Sequence, residues 1–292
     1  MMQNNIEQII LETMLNINNN ITNGVLQLEQ NNFIILKDLI SHETSTVDYM
    51  LRALSYNYIG NEPFNIIKIN NNIEIDTLDN YKLVLPNIKP RLIIAFGPSA
   101  SGKTTCSNNI IQKLLNEHKD FPTCFMTIDG GNMRKASNVF QLIVKYANMY
   151  NINIASYNIF PKVKNTIIKY YESQIAKYNT MISLYIPITL GKTYIQSYSN
   201  FIELTKDSNW VGIFIWQHKN DCIYEDKYKC YGCIKSGIER EKIEGKKYKP
   251  HKWDLSMARG LIEVKKAKGG FYCIHNGGKD HGIMLIDNDL LN

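Results

Sequence analysis

A glycine-rich loop between an apolar strand and a helix constrains the fold of this chain more than any other feature. An apolar run at residues 92–96 leads into the loop, and residues 105–115 continue with apolar side chains at helical spacing. The loop consists of Gly97, Pro98, Ser99, Ala100, Ser101, Gly102, Lys103 and Thr104, with Thr105 opening the helix. A glycine-rich turn that binds nothing is the alternative, but the strand and helix on the correct sides favour a phosphate-binding loop.

Such a loop binds a nucleotide for a physical reason. Its backbone N–H groups and the N-terminus of the following helix point at a β-phosphate. Lys103 would then lie between the β- and γ-phosphates, and Thr104 would bind Mg²⁺. We therefore predict ATP and Mg²⁺ as ligands of this loop.

From residue 90 onwards the pattern alternates between strands and helices. Strands are predicted at residues 92–96, 124–129, 182–189, 211–218 and 271–276. Alternation of this kind is typical of an α/β fold with a mainly parallel sheet flanked by helices, as in P-loop kinases.

The N-terminal part has a different pattern. Apolar residues at helical spacing predict three helices, and short isoleucine-rich runs predict a small antiparallel sheet or meander. The helices are predicted at 6–15, 25–40 and 47–58, and the strands at 64–69, 73–76 and 81–85. Pro86 and Pro90 close this region. We predict a helical and β-meander module at 1–88, which is a candidate for binding a protein partner, and a kinase-type domain at 89–292.

Composition bears on location and on the weight of each arginine. The chain has no apolar run longer than about five residues and no basic leader followed by an apolar block, so we expect a cytoplasmic protein with no membrane contact. It contains 34 Asn, 42 Ile and 28 Lys but only 5 Arg. This bias indicates an AT-rich genome, such as that of certain protists, insect poxviruses or giant viruses. In such a chain, Arg remains mainly where its planar fork matters.

The second predicted strand of the α/β region ends in an acidic residue. Asp129 is the last residue of this strand, Gly130 and Gly131 come next, and Arg134 lies a few residues further on. Because a carboxylate at the carboxyl end of such a strand faces the ligand crevice, Asp129 would hold Mg²⁺ or accept a proton from a substrate hydroxyl. Arg134 would face the same cleft. The alternative is an ordinary strand-to-helix turn in which Asp129 only caps the helix.

Taken together, the loop, Asp129 and Arg134 resemble the zeta-toxin-like P-loop kinases over about residues 90–290. The resemblance implies transfer of the ATP γ-phosphate to a sugar hydroxyl, in the best known cases on UDP-N-acetylglucosamine. That family usually carries Asp-x-Asp with the second Asp as base, whereas this chain has Gly131 at that position. Either Asp129 takes the role, or the chain belongs to a divergent branch with another acceptor or weaker activity.

A basic segment follows the fourth predicted strand of this region. Residues 235–268 contain eleven Lys or Arg and five acidic residues. Arg240 resembles the arginine of this kinase class that neutralises the transferring phosphoryl group. A solvated helix with Glu–Lys pairs is the alternative for the segment. Nucleic-acid binding would also explain the charge, but the chain lacks an aromatic-rich basic sheet or a helix-turn-helix spacing, so we do not favour it.

Three cysteines and a histidine precede this segment. They are His218, Cys222, Cys230 and Cys233, with a two-residue spacing between the last two. Three thiolates and an imidazole suit tetrahedral Zn²⁺, so a structural zinc is one prediction. Reduced free thiols are the other main alternative, and a disulfide is the least favoured.

The sequence therefore favours an ATP-dependent kinase that acts on a hydroxyl of a small, nucleotide-activated or sugar-containing substrate. The candidate catalytic residues are Lys103, Asp129, Arg134 and Arg240. A nucleoside or polynucleotide kinase could use the same residues. A non-catalytic ATP-binding regulatory or interaction protein, derived from such a kinase, is the alternative outside enzymes.

Overall fold

The computed structural model describes most of the N-terminal half of the chain and parts of the C-terminal half. The described residues are 2–22, 29–60, 62, 64–69, 75–86, 90–96, 103, 111, 112, 116, 121–188, 209–216, 233–248 and 271–275. Within these residues, no helix is long and apolar enough to cross a membrane.

Two compact units make up the structure, and each combines segments that are distant in the sequence. The first unit consists of residues 1–57, 129–167 and 238–248, and the second of residues 58–128, 168–237 and 249–292. Both units draw on residues from either side of position 88. The predicted modules at 1–88 and 89–292 divide the chain by its order in the sequence, and this division stays a prediction.

The first unit is built from helices. They are α1 (Met2–Thr22), α2 (Glu29–Thr44), α3 (Val47–Tyr56), α4 (Gly130–Lys135) and α5 (Asn138–Met149), together with the start of α6 (Lys164–Tyr178) and the end of α7 (Cys233–Glu244). Apolar side chains spaced three or four residues apart on α1, α2 and α5 form its core. This core contains Ile10, Met14, Ile17, Phe33, Leu36, Ile40, Val139, Phe140, Ile143, Val144 and Ala147, and Ile152, Ile154 and Ile159 close it.

Glu43 at the end of α2 joins three helices of this unit. Its carboxylate forms a 2.8 Å ion pair with Arg52 of α3. It also accepts hydrogen bonds from the N–H groups of Asn138 and Val139 and from the Ser137 hydroxyl, so it satisfies the first donors of α5. Arg52, one of the five arginines, therefore has a structural partner in the first unit.

The second unit contains the sheets. The strands of the larger sheet are β1 (Tyr58–Gly60), β4 (Arg91–Phe96), β5 (Cys124–Thr127), β6 (Leu184–Ile188), β7 (Asn209–Trp216) and β8 (Phe271–His275), in the order β1-β5-β6-β4-β7-β8. Strands β5 to β8 and β4 pair in parallel, and β1 pairs antiparallel with β5. The smaller sheet is the antiparallel pair β2 (Asn65–Lys68) and β3 (Tyr81–Val84).

The prediction of a mixed α/β fold is confirmed, and each of the five strands predicted after residue 90 is present. Two local predictions are wrong. Ile75 and Asp76 do not belong to a strand, and the third helix stops at Tyr56, before strand β1. The helix stops because the side chain of Asn57 donates to the Ala53 carbonyl at 2.7 Å, while its backbone N–H bonds the same last turn. The helix predicted at 105–115 lies mainly outside the described residues.

Candidate functional site

Strand β4, which precedes the predicted nucleotide loop, lies between β6 and β7 in the larger sheet. Loop residues 97–102 and residues 104 and 105 lie outside the described residues. Lys103 is described, and it is helical and half-buried in the second unit. The sequence predicts Lys103 in the loop, two residues before the helix expected from Thr105, and its role toward ATP stays a prediction.

Asp129 follows β5 and belongs to the first unit. Its backbone N–H donates to Asn57 Oδ1 at 3.0 Å, and its carboxylate Oδ1 accepts the Gly131 N–H at 2.8 Å. Asp129 is therefore the N-cap of α4, as the alternative for this turn expected. The capping bond uses Oδ1 of the carboxylate. Capping therefore leaves the second oxygen, Oδ2, available to contact a substrate.

The backbone around Arg134 is fixed by helix α3. The Tyr49 hydroxyl donates to the Met133 carbonyl at 3.0 Å, and Arg52 Nε donates to the Ala136 carbonyl at 3.2 Å. The Arg134 side chain is different, because its Nε and Nη2 atoms are buried and have no hydrogen-bond partner among the described residues. Buried donors of a charged group are costly to leave unpaired. Arg134 therefore offers two donors in a fixed fork to a group that is not part of the described protein.

Lys164, the first residue of α6, lies beside α4 because Gly130 has no side chain. A Cβ atom at Gly130 would lie 3.1 Å from Lys164 Cε and 3.8 Å from Arg134 Nη1. The two cationic side chains thus flank the same point on the first turn of α4. Any larger residue at position 130 would displace the end of the Lys164 side chain.

Lys246 reaches the same region through a left-handed turn at the end of α7. Gly245 has φ +57°, the conformation that commonly ends a helix. Beyond it, the Tyr248 N–H donates to the Glu241 carboxylate at 2.7 Å and holds the chain against the end of α7. The turn at Gly245 therefore sets the position of Lys246.

Arg240 has a partner within its own helix. Its Nε and Nη2 atoms donate to the two carboxylate oxygens of Glu244 at 2.9 and 2.8 Å. This hydrogen bonding raises the pKa of Arg240, and the more distant charge of Asp129 acts in the same direction. Both the catalytic role and the alternative of an exposed, ion-paired helix are compatible with this geometry.

These side chains form what we call the Asp129 cluster, which consists of Asp129, Arg134, Lys164, Arg240, Glu244 and Lys246. Its four cations and two carboxylates give a formal charge of +2. Burial by itself would raise the pKa of Asp129. The Gly131 hydrogen bond and the charges of Lys164, Lys246 and Arg134 outweigh burial and lower this pKa. Asp129 is therefore ionised at neutral pH.

Three cations of the cluster also have lowered pKa values, but for a cation this shift disfavours the charged form. Loss of solvation lowers the pKa of Arg134 and of Lys164, and the attraction of Asp129 only partly offsets it. Loss of solvation and then repulsion from Arg134 lower the pKa of Lys246 to about 8, although the residue as a whole is exposed. A bound anion would relieve this repulsion.

The predicted zinc residues fall mostly outside the described part of the chain. His218, Cys222 and Cys230 are not described, and Cys233 is the first residue of α7. Among the described residues, no three of His, Cys, Asp and Glu come together in a way that would hold a metal ion. The zinc site stays a prediction.

Sequence reasoning identified Asp129, Arg134 and Arg240, and the structure brings these three into one cluster. It missed Lys164 and the specific role of Lys246. Lys246 belongs to the basic segment, but nothing distinguishes it there from its neighbours. The Gly130–Gly131 pair was the available signal for Lys164, since a glycine at the start of a helix indicates a close approach by another group.

Comparisons with known proteins give one distant structural likeness. No family model matches the chain, and no curated protein matches it. A solved structure from the PezAT chromosomal toxin–antitoxin system of Streptococcus pneumoniae is 17% identical and covers 66% of this chain and 70% of its own, with a TM-score of 0.39. Identity and overlap at this level do not establish membership of a family.

Proposed function

We propose that this protein is an ATP-dependent kinase that transfers the γ-phosphate to a hydroxyl of a small substrate, with a nucleotide sugar such as UDP-N-acetylglucosamine as the favoured acceptor. The observation that carries the proposal is an ionised carboxylate, Asp129, among the cations of Arg134, Lys164 and Lys246. Phosphoryl transfer needs a group that orients and deprotonates the attacking hydroxyl and cations that balance phosphate charge. The cluster supplies both kinds of group.

Asp129 would accept the proton of the acceptor hydroxyl as the oxygen attacks phosphorus. Of the two roles predicted for Asp129, the proton acceptor is favoured over the Mg²⁺ ligand. The reason is electrostatic, since the three cations that keep Asp129 ionised would repel a divalent cation. Gly131 has no side chain, so it contributes only its N–H, which orients the carboxylate.

Arg134 would bind the acceptor, because its Nε and Nη2 donors match two oxygens of one phosphate group. Arg240 would act on the transferred phosphoryl group. For that role its fork must leave Glu244, which holds both donors in this structure. The Arg240 side chain is half-exposed, so a phosphate could reach its donors and replace Glu244, with two charge-assisted hydrogen bonds exchanged for two.

ATP and its Mg²⁺ would be bound by residues of the nucleotide loop. Lys103 would neutralise charge between the β- and γ-phosphates, and Thr104 would hold Mg²⁺, which supplies further charge neutralisation when bound. Mg²⁺ that accompanies ATP takes most of its ligands from phosphate oxygens and water. A dedicated group of carboxylates is therefore not needed for this role.

The test is a transfer assay with γ-labelled ATP and Mg²⁺ over nucleotide sugars, nucleosides and RNA 5′ ends. We expect label on a nucleotide sugar. Label on nucleosides or RNA ends instead would support the alternative kinases and refute the favoured acceptor. ATP binding without transfer to any acceptor would refute the kinase proposal and leave the non-catalytic ATP-binding protein.

A further inference from the structure

We propose that Lys164 is an acceptor-positioning residue, which together with Arg134 binds one phosphate group of the acceptor. This inference rests on the proposed function for its role in catalysis. It concerns a residue that no sequence motif marks. The argument uses the position of Lys164, the unpaired donors of Arg134 and the shortage of carboxylates in the cluster.

The position of Lys164 is the first step. Its Cε and the Arg134 Nη1 lie 3.1 and 3.8 Å from the point where a Cβ at Gly130 would be. Two like charges this close to one backbone position repel each other, and the pKa of Lys164 is lowered by burial and then by Arg134. Folding therefore brings these cations together at a cost, which a ligand of opposite charge would offset.

The second step concerns the available anions. Within the Asp129 cluster, Glu244 is held by both donors of Arg240. Asp129 uses its Oδ1 to accept the Gly131 N–H. Arg134 keeps its Nε and Nη2 buried without a partner among the described residues. Among the described residues, the two carboxylates leave the cluster with a formal charge of +2, which an anionic ligand would balance.

The third step identifies the ligand chemistry. The Nε–Nη2 edge of a guanidinium is a planar fork that binds two oxygens of one group. Lys164 and Arg134 Nη1, the third nitrogen of the guanidinium, lie near the same point at Gly130. The Lys164 ammonium would supply a point charge to a third oxygen of the group that the fork binds. A phosphate has enough oxygens for both contacts, whereas a carboxylate has two, which the fork alone would occupy. Lys164 and Arg134 thus match a phosphate carried by the acceptor.

The test measures binding of inorganic phosphate to the full chain saturated with a non-hydrolysable ATP analogue, so that the nucleotide loop is already occupied. We expect Lys164→Met to weaken phosphate binding by about tenfold, the scale for losing one charge-assisted hydrogen bond. Lys164→Arg should restore part of the affinity. Lys169→Met, which removes an exposed lysine of the same helix, is the matched control and should bind phosphate like the wild type.

Gly130→Ala provides a second variant that keeps the lysine but displaces its end. It should weaken phosphate binding in the same direction as Lys164→Met. Unchanged phosphate binding in both variants would overturn the inference. Equal weakening in Lys169→Met would overturn it as well, because the effect would then not be specific to the site.

Kinetics connect the binding site to catalysis. With a competent acceptor, Lys164→Met should raise the KM for the acceptor more than it lowers kcat, because the residue binds substrate rather than reacting. A loss in kcat with an unchanged acceptor KM would overturn the positioning role. If no acceptor is phosphorylated but phosphate binding depends on Lys164, the proposed function fails while the phosphate site stands.

Discussion

Replacing Gly245 by Ala tests how the end of helix α7 is held on the core of the first unit. Gly245 has φ +57°, which costs a residue with a Cβ atom about 1–2 kcal/mol. The new Cβ would also lie 2.9 Å from Phe140 Cζ, 3.0 Å from Val144 Cγ2 and 3.1 Å from Ile154 Cγ2. All three neighbours are buried in the core, so they have little freedom to move.

Overpacking of a core typically costs about 1–3 kcal/mol. Together with the backbone strain, we expect Gly245→Ala to lower the free energy of unfolding by about 2–5 kcal/mol. Urea denaturation followed by circular dichroism measures this as a lower midpoint with an unchanged slope.

Lys247→Ala is the matched control, because Lys247 is exposed and lies two residues further along the chain. A surface substitution of this kind should change stability by less than about 0.5 kcal/mol. If Gly245→Ala were as mild as this control, the left-handed turn would not be needed to place the chain after α7. The account of how Lys246 reaches the cluster would then be wrong.

Three further substitutions test the charges of the site. Lys246→Met should stabilise the protein at pH 7, because folding lowers the pKa of this lysine from 10.5 to about 8 through loss of solvation and repulsion from Arg134. The full shift corresponds to about 3.4 kcal/mol, but exposure of the residue reduces the expected gain to about 1 kcal/mol. The gain in stability should be complete below pH 8 and vanish by about pH 10.5. Between these pH values, the folded wild type has released the Lys246 proton that the unfolded chain still binds. A gain in stability that does not depend on pH, measured by urea denaturation, would refute the lowered pKa as its cause. Arg240→Lys should lower turnover at saturating ATP more than it weakens ATP binding. Steady-state kinetics measures the turnover, and direct titration measures ATP binding. If neither changes, Arg240 is an exposed helix residue with no part in phosphoryl transfer. Lys103→Ala should remove most ATP turnover while leaving the circular dichroism spectrum unchanged, and turnover like that of the wild type would contradict the kinase assignment.

The elements of the fold that follow from local pattern could be predicted from the sequence. The runs that became β4 to β8 are short, mainly apolar and bounded by breaks, which is typical of strands in a covered sheet. Asp129 could be predicted for the same reason, because it stands directly after one of these runs. The capping bond to Gly131 is likewise a local interaction between residues two positions apart.

Contacts between distant segments could not be predicted. Lys164 joins the cluster only because α6 begins beside Gly130, and Lys246 only because Gly245 turns the chain onto a core formed by α1, α2 and α5. The glycine pair at the start of α4 indicates a close approach by some group but does not say that the group is Lys164, and no local signal marks Lys246, since both contacts depend on tertiary packing. For the same reason, the change of pattern near residue 88 does not show that residues 1–57 and 129–167 belong to one unit.

The most direct test of the central claim is the rate of γ-phosphate transfer to the accepted substrate in the wild type and in Asp129→Asn. Asparagine keeps the size of the side chain and can still accept the Gly131 N–H, so α4 should retain its cap. If Asp129 is the proton acceptor, transfer should fall at least about 10²-fold while ATP binding, measured by titration, stays unchanged. Transfer at the wild-type rate in Asp129→Asn would contradict the account, because the carboxylate would then serve only as a cap.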